Sequence, residues 1–198
     1  MTPYAAVVLA GGAARRFGGA PKPALEVGGR PLLARVLDAV TGASPVLVVG
    51  PRVAGLTPEP TWTREDPPGG GPVAGLRVAV PLVDTPAVAV LAADLPFLDT
   101  PVVHRLRAAV DGGADAAVLV DDTGRDQYLA AVWSTTALRR ALSAVEGDRM
   151  SALYGAVRVE RVAVSGYPDG AEPWRDVDDP AELDRARAYW EHSSRERP

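Results

Sequence analysis

The sequence predicts an α/β protein whose largely parallel sheet is covered by helices on both faces. Three observations carry this. The β-branched apolar runs "YAAVVLA", "SPVLVVG" and "AVAVLAAD" are continuous rather than alternating, as in strands buried on both sides. Stretches of helical periodicity separate them. No linker-like segment divides the chain, so one domain is expected over 1–192, with a frayed tail at 193–198.

Taken in order, strands at 4–10 and 44–50 flank a helix at 30–40. A helix from 72 is ended by Pro81 and leads to the strand at 87–94. The helix at 101–113 carries proline in its first turn and glycine at its end. Strands at 114–122 and 127–133 follow, then an amphipathic helix at 135–145 and a strand with one wet face at 157–164. The last helix, 179–192, has Asp179 as N-cap, Pro180 at N1 and Glu182 at N3. In sheets of this type ligands bind beyond the carboxyl ends of the strands. That singles out the loops 11–23, 50–52, 64–72, 94–99 and 121–127.

Composition narrows the function. With 198 residues, 47% of them hydrophobic, the chain can bury a sizeable core. No apolar run reaches the roughly 18 residues of a membrane span. No basic leader precedes "YAAVVLA", so a cytoplasmic protein without membrane partners is expected. Cysteine is absent, which removes disulfides, thiolate nucleophiles and cysteine-held metals. A net charge of −4 argues against nucleic acid as a partner.

Within this mildly acidic chain, "LAGGAARRFGGAPKP" is locally positive through Arg15, Arg16 and Lys22. Lys22 lies between Pro21 and Pro23, not before Ser or Thr, so a Walker A loop fails. The paired glycines and the delayed helix exclude a dinucleotide fingerprint. Gly11 and Gly12 allow a tight turn that brings backbone N–H groups against a base and phosphates. Arg16 and Lys22 supply mobile positive charge to a triphosphate. Arg15, adjacent to Arg16, is expected to face solvent. A glycine-rich surface loop with solvated cations is the other reading.

Asp94 ends a buried strand and reads as a magnesium ligand or as a turn-forming acid. Glu65 or Asp66 precedes a Pro/Gly stretch that can fold over a nucleotide, or is exposed loop charge. Asp176 and Asp178 share one side of an extended segment, and paired carboxylates facing a polyphosphate need a cation between them. His104 and His192 are poorly placed for catalysis, and no serine occupies a nucleophile elbow. Direct in-line displacement, driven by positioning and charge neutralisation, is therefore expected.

The pattern L-A-G-G-x(3)-R-x-G-x(3)-K is similar to the signature loop of nucleotidyltransferases that activate sugar phosphates, polyols and molybdopterin. Over nearly the whole chain, the ordered segments "LAGGAARRFGG", "EDPPGGGPVAGL", "ADLPFL", "GRDQYLAAVW", "GDRMSALYG" and "DVDDPAEL" resemble the molybdenum cofactor guanylyltransferases. The resemblance implies a three-layer Rossmann-like nucleotidyltransferase with a mostly parallel, mixed sheet. It implies transfer of GMP from GTP to the terminal phosphate of molybdenum-molybdopterin, with Mg2+ as cofactor and pyrophosphate as product. Proteins that deliver the cofactor to molybdoenzymes are further expected partners.

The resemblance also implies site residues. Leu9, Ala10, Gly11 and Gly12 contact GTP through their backbone, and Lys22, Asp66 and Asp94 bind nucleotide. Lys22, Arg16 and Asp94 are the catalytic set, and Asp94 ligates magnesium with Asp178 as second ligand. Apart from the resemblance, segments 124–128 and 148–151 read either as lining the acceptor pocket through Arg125, Gln127 and Arg149, with Asp176 beside them, or as surface charge. Two departures bear on the base. Val49-Gly50 stands where the family often has Asn, and Asp176-Val177-Asp178 where Asn-x-Asn is common. Cytidylyl transfer to the same cofactor therefore stays open, as does a sugar or cobinamide phosphate acceptor. A nucleotide-binding cofactor chaperone without turnover is the reading from another class.

Overall fold

Six consecutive apolar residues build β1 (Tyr4–Leu9), buried along its whole length. The computed structural model describes residues 2–11, 17–155 and 157–195. In chain order β1 is followed by β2 (Glu26–Val27), β3 (Arg30–Pro31), α1 (Leu32–Ala39), β4 (Val46–Val49) and β5 (Thr61–Thr63). Then come α2 (Gly71–Ala79), β6 (Ala87–Ala92), α3 (Thr100–Asp111), β7 (Ala116–Val120) and β8 (Asp126–Ser134). The chain continues through α4 (Thr135–Ala144), α5 (Met150–Tyr154), β9 (Val159–Ala163) and α6 (Pro180–Arg195).

The main sheet has the order β5-β4-β1-β6-β8-β7-β9. Its pairings are parallel except where β8 meets β6 and β7. The two-residue period of β1 divides the core. Tyr4, Ala6 and Val8 pack with Leu33 and Val36 of α1 and Val102 and Leu106 of α3. Ala5, Val7 and Leu9 pack on the other side with Val73 and Leu76 of α2 and Leu138 of α4. The result is the expected three-layer, mostly parallel, mixed fold.

Differences from the sequence expectation fall on short elements. The helix expected at 30–40 starts at Leu32 because Arg30 and Pro31 pair with Val27 and Glu26 in a small hairpin. The helix from 72 ends at Ala79, and Pro81 lies in a 3-10 turn, Val80–Leu82. Strand β5 and helix α5 were not expected; three and five residues are too few to show periodicity. Helix α6 continues through 193–195, beyond the expected end at 192. Its start follows the expectation. Asp179 Oδ1 accepts from the Glu182 N–H (2.8 Å), and Glu182 Oε2 accepts from the Asp179 N–H (3.1 Å). No helix among the described residues is long and apolar enough to cross a membrane.

Two features shape the ligand edge. Because β8 is antiparallel, its first residues lie beside the carboxyl ends of the other strands. Its register with β7 jumps from Ala131 opposite Val118 to Gln127 opposite Leu119, so 128–130 bulge out of that ladder. Tyr154 supports the bulge from beneath. Its hydroxyl donates to the Tyr128 C=O at 2.9 Å and accepts from Trp133 Nε1 at 3.2 Å. Burial holds that hydroxyl above the ordinary tyrosine pKa, so it stays a donor. Tyr154→Phe orphans the buried Trp133 N–H and the half-buried Tyr128 C=O and is expected to cost ~1–3 kcal/mol in chemical denaturation; an unchanged midpoint would contradict this support.

Candidate active site

Leu9, Gly11, Lys22, Asp94, Arg125, Gln127, Asp176 and Asp178 gather at this edge. At the tip of β1, the Ala10 N–H donates to the Val49 C=O (2.8 Å) and the Leu9 C=O accepts from the Ala93 N–H (3.1 Å). Those two groups are thus committed to the sheet. Leu9 and Gly11 line a cavity of about 610 Å³, whereas Ala10 is buried behind it. Gly12, Arg15 and Arg16 lie outside the described residues.

Five glycines contribute to the wall of this cavity. Gly11, Gly50, Gly69, Gly71 and Gly75 line it, with Val49, Arg64, Glu65 and Pro68. At Gly50, φ is +148° and a Cβ would stand 2.8 Å from the carbonyl carbon and oxygen of Ala10. A side chain such as Asn has no room there unless β1 moves, which gives a physical reason for the departure at this position. The N-terminus of α2 faces the same space, and its cap, Gly70, offers no side-chain bond to the first-turn N–H groups. Such an end attracts anions.

Asp66 does not line the cavity and is exposed. Its neighbour Glu65 lines it instead and accepts from the Gly69 N–H at 3.0 Å. Either acid fitted the sequence, and nothing local distinguishes which one turns inward.

Lys22 sits in a 3-10 turn (Lys22–Ala24) between its two prolines. Its Nζ lies 2.5 Å from Asp94 Oδ2 and 2.6 Å from Asp178 Oδ1. Burial alone would lower the ammonium pKa, but Asp94 and Asp178 outweigh it and hold the value above the ordinary lysine range. The chain's own backbone arranges this meeting. The Asp94 C=O accepts from the Val177 N–H at 3.1 Å, joining the end of β6 to 176–178. Val177 is buried in a satellite core with Leu32, Phe97 and Leu183. Its flanking residues, Asp176 and Asp178, therefore turn to the other side and line a second cavity.

That second cavity measures about 870 Å³. Asp94, Asp121, Asp122, Asp126, Asp176, Asp178 and Glu182 line it, with Arg125 and Arg175 as the cations. Gln127 and Met150 also line it; Arg149 does not and is exposed. Partial enclosure, then the charges of Asp178, Asp94 and Glu182, push the Asp176 carboxyl up to about 6, although it keeps contact with solvent. Ala92, Asp94 and Leu129 line both cavities. Leu129 carried no signal in sequence, since only the reversed direction of β8 brings it there.

Asp94 Oδ1 is buried without a hydrogen-bond partner among the described residues, and Asp94 and Asp178 share one ammonium. No three metal-binding side chains converge on one point among the described residues. One or two carboxylates, completed by phosphates and water, suit magnesium.

A glycine-walled cavity and an acid-lined one, meeting at a strand-end aspartate of this sheet, define a nucleotidyltransferase of Rossmann-like fold. A family model for the MobA-like NTP transferase domain matches residues 6–163, and the chain belongs to that family. It is 37% identical to the molybdenum cofactor guanylyltransferase of Rhodopseudomonas palustris BisB5, covering 78% of this chain and 81% of that one. A probable molybdenum cofactor guanylyltransferase of Natronomonas pharaonis is 31% identical over 91% of this chain and 95% of its own. A namesake from Haloferax mediterranei is 35% identical, and the chain spans 62% of its length.

Among solved structures, molybdopterin-guanine dinucleotide biosynthesis protein A of Archaeoglobus fulgidus superposes with a TM-score of 0.69 at 20% identity, covering 94% of this chain and 98% of that one. The 2-C-methyl-D-erythritol 4-phosphate cytidylyltransferase of Thermus thermophilus gives 0.71 at 22%, covering 96% and 99%. These two establish the fold.

Proposed function

We propose that this chain transfers GMP from GTP to the terminal phosphate of molybdenum-molybdopterin and releases pyrophosphate. The observation that carries the reading is the position of Asp94, held by Lys22 on the boundary between two cavities. The glycine-walled cavity takes GTP, with phosphates toward the bare N-terminus of α2; the larger one takes the acceptor. The names of the relatives support the base and the acceptor.

An acceptor phosphate oxygen attacks the α-phosphorus, the bond to the β-phosphate oxygen breaks, and pyrophosphate leaves. Asp94 would hold magnesium, with Asp178 as second ligand; when bound, the metal neutralises triphosphate charge. The chain's own contribution is placement. Gly11 and Gly50 admit the nucleotide close to the backbone, and Lys22 turns its ammonium from the carboxylates to the departing pyrophosphate. No described side chain is required as a covalent nucleophile.

CTP is the competing donor, because Asp176 and Asp178 stand where the resemblance expects asparagines. Melting temperature with each of GTP, CTP, ATP and UTP plus magnesium, followed by pyrophosphate release with molybdenum-molybdopterin, tests the reading. GTP is expected to give the largest shift and the acceptor-dependent release. A larger response to CTP would transfer the proposal to cytidylyl chemistry, and tight binding with no release would leave a chaperone.

A further inference from the structure

One carboxylate organises the turn between β7 and β8. Asp121 Oδ1 accepts from the Thr123 N–H (2.9 Å), the Thr123 hydroxyl (2.7 Å) and the Arg125 N–H (2.9 Å). Its Oδ2 accepts from Gln127 Nε2 at 2.8 Å. Arg161 of β9 pins the same turn through Asp126 (2.6 Å) and the Gly124 C=O. A carboxylate only accepts, so the Gln127 amide must turn its NH2 toward Asp121. Its oxygen has no hydrogen-bond partner among the described residues, and Gln127 lines the larger cavity.

We propose that Asp121 is a positioning residue that fixes acceptor specificity: it locks the Gln127 amide with its oxygen toward the cavity, so that the site selects an acceptor bearing an N–H or O–H donor on its ring system. The inference rests on the assignment of this cavity to the acceptor. The surrounding wall has the same character, since Asp122, Asp126 and Asp176 also present acceptor oxygens. A donor-rich heterocycle matches such a wall, and the phosphate end of the acceptor belongs beside Lys22.

The locked amide makes a prediction opposite to that of charge alone. In Asp121→Asn the oxygen must stay with the Thr123 and Arg125 donors, so the new NH2 faces Gln127 and turns that amide over. An NH2 then points into the cavity. The acceptor KM and its calorimetric Kd are expected to rise about tenfold, with the GTP KM unchanged. Charge alone would tighten a phosphate-bearing acceptor, because one acid has gone. The double variant Asp121→Asn/Gln127→Glu has the wild-type charge and again offers an oxygen to the cavity. It is expected to return both constants to within about twofold of wild type.

The experiment compares wild type, both variants and Gln127→Leu with molybdenum-molybdopterin as probe, alongside melting temperature and its shift with GTP. Acceptor constants unchanged or lowered in Asp121→Asn, or unchanged in Gln127→Leu, overturn the proposal. So does a double variant that melts like wild type yet fails to recover. A wild type that neither binds molybdenum-molybdopterin nor releases pyrophosphate with it removes the acceptor reading itself, a distinct result.

Discussion

Asp94→Asn is expected to lower turnover by at least ~100-fold, the scale of losing one group aimed at developing charge, while the protein stays folded. The structure separates the two effects. The Asp94 backbone C=O, not its side chain, accepts the Val177 N–H that ties 176–178 to β6. Asp94 Oδ1 has no hydrogen-bond partner among the described residues, and Asn keeps the volume. What disappears is a charged oxygen donor at the boundary of both cavities and one of the two carboxylates that hold Lys22. Pyrophosphate release at saturating GTP, acceptor and magnesium is the measurement. Turnover at the wild-type level there would remove Asp94 from the chemistry and with it the reading of the boundary.

Lys22→Ala is the second large effect, with a turnover loss of ~10²–10³-fold. Asp94 and Asp178 then face each other with the shared ammonium gone, so the site repels the triphosphate that the proposal places there. Folding is less affected. The ion pairs are partly sheltered, and removing Lys22 also removes the cost of desolvating its ammonium. The GTP-induced melting shift should fall together with kcat. A shift and a kcat both at the wild-type level would show that Lys22 is a tether for 176–178 and nothing more.

Much of this arrangement was legible beforehand. Continuous apolar runs gave β1, β4, β6 and β7, because strands buried on both faces leave no polar side to interrupt them. Asp94 is marked in the sequence by its place at a strand end on the ligand side and Lys22 by the cationic glycine loop, and Asp176 and Asp178 share one side because Val177 between them has a core to enter. Short elements stayed hidden: β5 and α5 hold too few residues to display a period. The choice between Glu65 and Asp66 depended on the path of one loop. Gln127 was named as an acceptor contact, but the Asp121 carboxylate that orients it was not, since hydrogen bonds within a turn leave no periodic trace.

The glycines in the wall of the 610 Å³ cavity have an outcome for redesign. Enlarging Gly50 drives into the backbone of Ala10, and enlarging Gly75 crowds Leu9 and Val49. Reshaping this space is easier at lining positions that already carry side chains, such as Arg64 and Glu65.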